Sequence, residues 1–151
     1  MKTQRAILLG IAIWIIAILF HSISYAIPLL EDPDNQANVV LFIVVMPLVW
    51  FACSFYYKKD NKTHGIKVGQ TMLLTAVTLD ALITVPFFVI PNGGSHYTFF
   101  TSVGFWFIAF EFLLVASLYW YARVYTCLLY TSPSPRDHLS YLVCRLLLEK
   151  G

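Results

Sequence analysis

A four-helix membrane protein is the architecture these residues predict. It is all-α, with four transmembrane helices in an antiparallel up-and-down bundle and both ends cytoplasmic. Three observations carry that prediction. The 151-residue chain is 59% hydrophobic and 12% charged, against about 45–50% and about 25% in soluble domains. Its apolar residues are gathered into four runs, 6–30, 39–57, 68–90 and 101–125, each near the roughly 20 residues that a spanning helix needs. Lys and Arg collect on alternate connections, as short cytoplasmic loops do.

The first run follows Lys2 and Arg5. It ends near Ser24, Tyr25 and Ala26, a small-x-small pattern like that of a signal-peptidase site. Because the run exceeds the 7–15 residues of an ordinary signal core, a retained anchor is expected. The first connection holds Glu31, Asp32 and Asp34 and no base; the second run contains Pro47; the second connection holds Lys58, Lys59, Lys62 and Lys67. The third run, "TMLLTAVTLDALITVPFFVI", contains Pro86 near its far end, and a bend is expected at both prolines. The third connection has no charge apart from His96, and Arg123 closes the fourth run. Every Lys and Arg up to Tyr125 therefore falls on one side. One transmembrane domain, residues 1–126, is the expected organisation, with no internal repeat.

Charge within the apolar runs is the unusual feature. Asp80 lies in the third and Glu111 in the fourth, and a charge at the bilayer centre costs at least about 2.5–3.5 kcal/mol on insertion scales. Asp80 stands ten residues before Ile90 and Glu111 ten after Thr101, so a symmetrical hairpin would hold both about 15 Å deep at 1.5 Å per residue. Two carboxylates facing each other there could not both stay ionised; one would hold a proton, or a cation would sit between them. The plainer reading is that each hydrogen-bonds across helices and packs the bundle. Thr84, one turn beyond Asp80, and His21 in the first run complete this intramembrane polar site. Thr71, Thr75 and Thr78 form a separate stripe expected to bond back onto their own helix. Gly104 shares a face with Glu111 and permits close approach. Gly65 and Gly69 make a G-x-x-x-G too short to signal a dimer. Trp14 and Phe110 read as lipid-facing bulk, and Tyr56, Tyr57, Trp120 and Tyr121 as an inner aromatic belt.

No phosphate-binding glycine loop, HExxH, Ser-x-x-Lys or metal-spaced Cys/His set occurs. No catalytic residue, metal site or cofactor is therefore expected. The basic connection is a topology signal, not a nucleic-acid surface. The lipid bilayer is the expected partner, with a second copy or another membrane protein as further options.

The tail, residues 127–151, reads two ways. As a peptide, Pro133 and Pro135 would stop the helix. Asp137 would cap a new one, and Leu139, Leu142, Val143, Leu146 and Leu147 would form one apolar face. Yet residues 127–137 and 142–150 also resemble the two ends of a sequencing-library adapter, translated in one frame, with residues 138–141 at the barcode between them. That resemblance implies a non-native tail and a native sequence interrupted near Tyr125, which leaves Cys53 as the native cysteine and no basis for a disulfide.

"LDALITVPFFV" (residues 79–89), Phe99–Phe100 and "GIAIWIIAILFHSIS" (residues 10–24) resemble a family of small bacterial four-helix membrane proteins of unknown function. The resemblance implies a bacterial inner-membrane protein and carries no activity. Three functions follow for consideration: a structural or accessory bundle with an intramembrane Asp80/Glu111 pair, a small proton- or cation-coupled transporter using that pair, and an intramembrane enzyme. The last is disfavoured by the lack of a nucleophile–base set.

Overall fold

The computed structural model describes residues 3–27, 32–60 and 62–127. Helix α1 spans Thr3–Ala26 and α2 Pro33–Tyr57; α3 spans Gly65–Leu79 and continues without a break as a π-helix, Asp80–Val89, and a 3₁₀ turn, Ile90–Asn92. A short α4, His96–Phe100, leads into α5, Val103–Tyr119, which ends in π-helical turns over Trp120–Tyr125. Four of these helical stretches, Thr3–Ala26, Pro33–Tyr57, Gly65–Asn92 and Val103–Tyr125, are long and apolar enough to cross a membrane. All four runs read from the sequence are present. Residues 1–2, 28–31, 61 and 128–151 lie outside the described residues, as do the outer end of the first run and every expectation placed on the tail beyond Cys127.

Local chemistry accounts for the boundaries. Asp32 caps α2 by accepting from the Asp34 amide, with Pro33 in the first turn, where its missing N–H leaves no bond unmade. His64 Nδ1 accepts from Ile66 N at the start of α3. Ser95 and Thr98 form a reciprocal capping box on α4, and Ser102 accepts from Phe105 N on α5. Gly93, at φ 85°, makes the left-handed turn that ends the third span. Pro86 lies inside the π-helical stretch; lacking an N–H, it cannot close the ordinary i→i−4 bond there.

The four long helices do not stand in sequence order around the bundle. The main interfaces are α1/α2, α1/α3, α2/α5 and α3/α5, so α1 faces α5 across one diagonal and α2 faces α3 across the other. Neighbours by sequence run antiparallel: Gly69 meets Ala116 and Leu113, while Gly65 meets Trp120. The other two interfaces are parallel: Gly10 meets Met72 on α3, and Gly104 meets Asn38 on α2.

The start of α1, the α2/α3 connection and the end of α5 share one end, called here the basic end. Packing there is close. Tyr56, Met72, Val49, Val68, Val124 and Cys53 are fully buried. A Cβ on Gly10 would stand 2.7 Å from Met72 O, and one on Gly69 2.8 Å from the Ala116 Cβ. The G-x-x-x-G pair thus joins α3 to α5 within the chain. The outward faces remain apolar, with Phe87, Val103 and Phe110 each about two-thirds exposed or more, as a lipid-facing surface requires.

A candidate polar site around Asp80

Asp80 is the last α-helical cap of α3 and the first residue of its π-helical continuation. Its Oδ1 accepts two hydrogen bonds, one from Trp14 Nε1 on α1 at 2.9 Å and one from Thr84 Oγ1 at 2.7 Å. The first fastens α1 to α3 within the apolar span. The second comes from one turn further along the same helix, as the spacing of Asp80 and Thr84 anticipates. Trp14 corrects the reading that placed it in lipid: it is half-buried and directed into the bundle.

A cavity of about 140 Å³ opens beside this cluster. Asp80, Thr84 and Trp14 line it, and so do His21, Asn38 and Ser102; most of the remaining wall is apolar, including Phe99, Phe105 and Phe112. His21 packs edge-on against Tyr25, and its buried Nδ1 has no hydrogen-bond partner among the described residues. Three of the four residues singled out from the sequence, Asp80, Thr84 and His21, therefore share one cavity. Asn38 and Ser102 were not singled out. Ser102 reads from sequence as an ordinary helix cap, and Asn38 as the margin of a polar loop.

Glu111 stands elsewhere. It is 5% exposed, both carboxylate oxygens lack a hydrogen-bond partner among the described residues, and it does not line the cavity. The α3/α5 register explains the separation. Gly69 is level with Ala116; Asp80 lies eleven residues beyond the first and Glu111 five before the second. The difference of six residues is about 9 Å along the axis. Counting equal depths from the hairpin ends assumed equal arms, but α4 and the 3₁₀ turn lie between them and shift one arm against the other. The level of Asp80 on α5 is that of Phe105, a cavity neighbour, not that of Glu111.

The remaining polar groups serve the frame. Gln36 Nε2 donates to Ser24 O at 2.8 Å and Ile27 O at 2.7 Å, taking up carbonyls that the end of α1 would otherwise leave unpaired. Thr71, Thr75 and Thr78 donate to the carbonyls of Lys67, Thr71 and Leu74 on their own helix, as expected of that stripe. Tyr57 and Tyr119 stack at the basic end, and Trp50 meets Tyr119 edge-on. Among the described residues, no three His, Cys, Asp or Glu side chains are grouped to hold a metal ion.

The model of a family of unknown function, DUF5367, matches residues 29–122. The match takes in residues 79–89 and Phe99–Phe100, on which the family resemblance chiefly rests; the N-terminal stretch 10–24 falls outside it. No curated protein and no solved structure matches the chain.

Proposed function

The chain belongs to the DUF5367 family of unknown function, and we propose that it is a structural or accessory bundle of the membrane in which Asp80 bonds helices together and Glu111 is a separate buried acid. The observation that supports this is the Trp14–Asp80 hydrogen bond, made inside the apolar span between the parallel helices α1 and α3. Such interhelical bonds average about 0.6 kcal/mol in membranes. Their value lies in fixing rotation and register where helices are apolar all round. An amide can accept both bonds, so Asp80→Asn should unfold within 0.5 kcal/mol of the parent in a detergent titration, whereas Asp80→Leu should be clearly weaker. Equal damage from both changes would sink the packing role, because only the ionisable group would then matter.

The second reading is a small proton- or cation-coupled transporter working at Asp80, with Glu111 as a second acidic station. The cavity against the Asp80 carboxyl favours it, with His21 on the same wall. In reconstituted vesicles this reading requires Asp80→Asn to abolish proton-dependent uptake while the fold persists.

Both readings carry the same placement: a bacterial inner membrane, as the family resemblance implies, with a cytoplasmic N-terminus and a cytoplasmic loop at residues 58–67, from the one-sided Lys/Arg distribution. Labelling of single-cysteine variants from outside should reach Asn35→Cys and spare Lys62→Cys; the reverse pattern would overturn the orientation. Removal of residues 128–151 should leave the melting temperature unchanged if they derive from an adapter.

A further inference from the structure

Packing uses one oxygen of Asp80 and leaves the adjoining space unexplained. That space, about 140 Å³, is close to an engineered apolar cavity of about 150 Å³ that takes up benzene. Its wall is not uniform. Phe99, Phe105 and Phe112 supply apolar surface, while Asp80 presents a carboxylate from the neighbouring α3. Trp14 and Thr84 both donate to Oδ1, and among the described residues no hydrogen bond reaches Oδ2. Among the described residues no Lys or Arg lines the cavity, and of those that do only His21, when protonated, could neutralise the carboxylate.

We propose that this cavity binds a small organic ammonium ion whose apolar body is about the size of one aromatic ring. The ammonium sits on Asp80 Oδ2, and the body lies against Phe99, Phe105 and Phe112. A charge-assisted hydrogen bond in a site of low dielectric is about twice as strong as a neutral one, and three ammonium protons can be shared among Oδ2, Asn38 and Ser102. An anion would meet the carboxylate's charge. A neutral hydrocarbon would fill the space and leave the charge unmatched. A bare metal ion would leave the phenylalanine wall unmatched, and among the described residues no three His, Cys, Asp or Glu side chains are grouped to hold one. The proposal concerns binding; it holds whether the occupant is carried across the membrane or stays in place, and it goes beyond the packing role.

The test uses the full chain in phosphatidylcholine nanodiscs and isothermal titration with benzylammonium, corrected by empty nanodiscs, with toluene as the uncharged analogue. Saturable binding at one site is expected, with toluene at least tenfold weaker. Asp80→Asn should weaken benzylammonium at least tenfold. So should Ala17→Leu, which fills the cavity from α1 without touching the carboxyl. The Trp50 indole resonance, from a ring packed on Tyr119 at the basic end and unchanged in a folded Asp80→Asn protein, separates lost binding from lost structure; if that variant does not fold, Ala17→Leu decides the matter. The proposal is overturned if the parent shows no saturable binding, if toluene binds as tightly as benzylammonium, or if folded Asp80→Asn and Ala17→Leu bind like the parent.

Discussion

The two ends of the bundle are built on different principles. At the basic end the helices approach until backbone meets side chain: Gly10 lies on Met72, Gly65 on Trp120, and Gly69 on Ala116. Toward the other end, aromatic and polar side chains stand between the helices, α3 widens into a π-helix, and a cavity remains between Trp14, Asp80 and the phenylalanines of α4 and α5. In lipid, apolar surface gains little by leaving one hydrocarbon environment for another, so helix association rests on close van der Waals fit and a few hydrogen bonds. The basic end takes the first route and the Asp80 cluster the second. A single chain thus combines a close-fitting end with an end that retains space.

The contrast breaks most sharply at Gly69. Leucine there would force its Cβ to within 2.8 Å of the Ala116 Cβ, and overpacking of this kind should remove about 3 kcal/mol or prevent folding. Detergent unfolding of Gly69→Leu measures it; a variant as stable as the parent would mean that the basic end is as forgiving as the other. Glu111 gives the next largest effect, with opposite sign. Two buried oxygens without partners among the described residues carry an unmet desolvation cost of about 1–3 kcal/mol, so Glu111→Met should stabilise the bundle by about 2 kcal/mol in the same titration. A loss instead would point to a role for the carboxyl that packing does not supply. Trp14→Phe keeps a ring but removes the donor to Asp80, and should cost about 1 kcal/mol. The smallest effect belongs to the cavity: Ala76→Leu adds carbons to open space and should gain about 0.5 kcal/mol from new van der Waals contacts, each worth about 0.1–0.2 kcal/mol. Destabilisation by Ala76→Leu would show that the open end is already full.

Much of this was legible in the residues and some was not, for a physical reason. Hydropathy shows which segments avoid water, so the four spans could be read directly. Asp32, Ser95 and Ser102 mark helix starts by their side-chain acceptors. The threonine stripe is satisfied locally, so its fate depends on no neighbour. The facing of Trp14 could not be read, because on a helix apolar throughout no polar side marks the exterior and a tryptophan suits lipid and interior alike. The order of helices around the bundle depends on glycine contacts between segments far apart in the chain. The depth of Asp80 against Glu111 failed for a related reason. Counting from a turn works only if both arms start level, and α4, with its own capping box, places Val103 several residues of chain beyond the turn at Gly93.

The arrangement in which α1 and α2 form one antiparallel hairpin and α3 and α5 another has a consequence for biosynthesis. Each hairpin is complete as soon as its second helix leaves the ribosome, and each hides one of its faces on its own partner. What joins them are the parallel contacts, Gly10 with Met72, Trp14 with Asp80, and Asn38 with Gly104, and these form when two finished hairpins meet side by side in the membrane. The connection at residues 58–64 then serves as a tether that raises the local concentration of the second hairpin around the first. Assembly can therefore proceed as an encounter of two preformed halves, and the halves made as separate polypeptides carry the same matching surfaces.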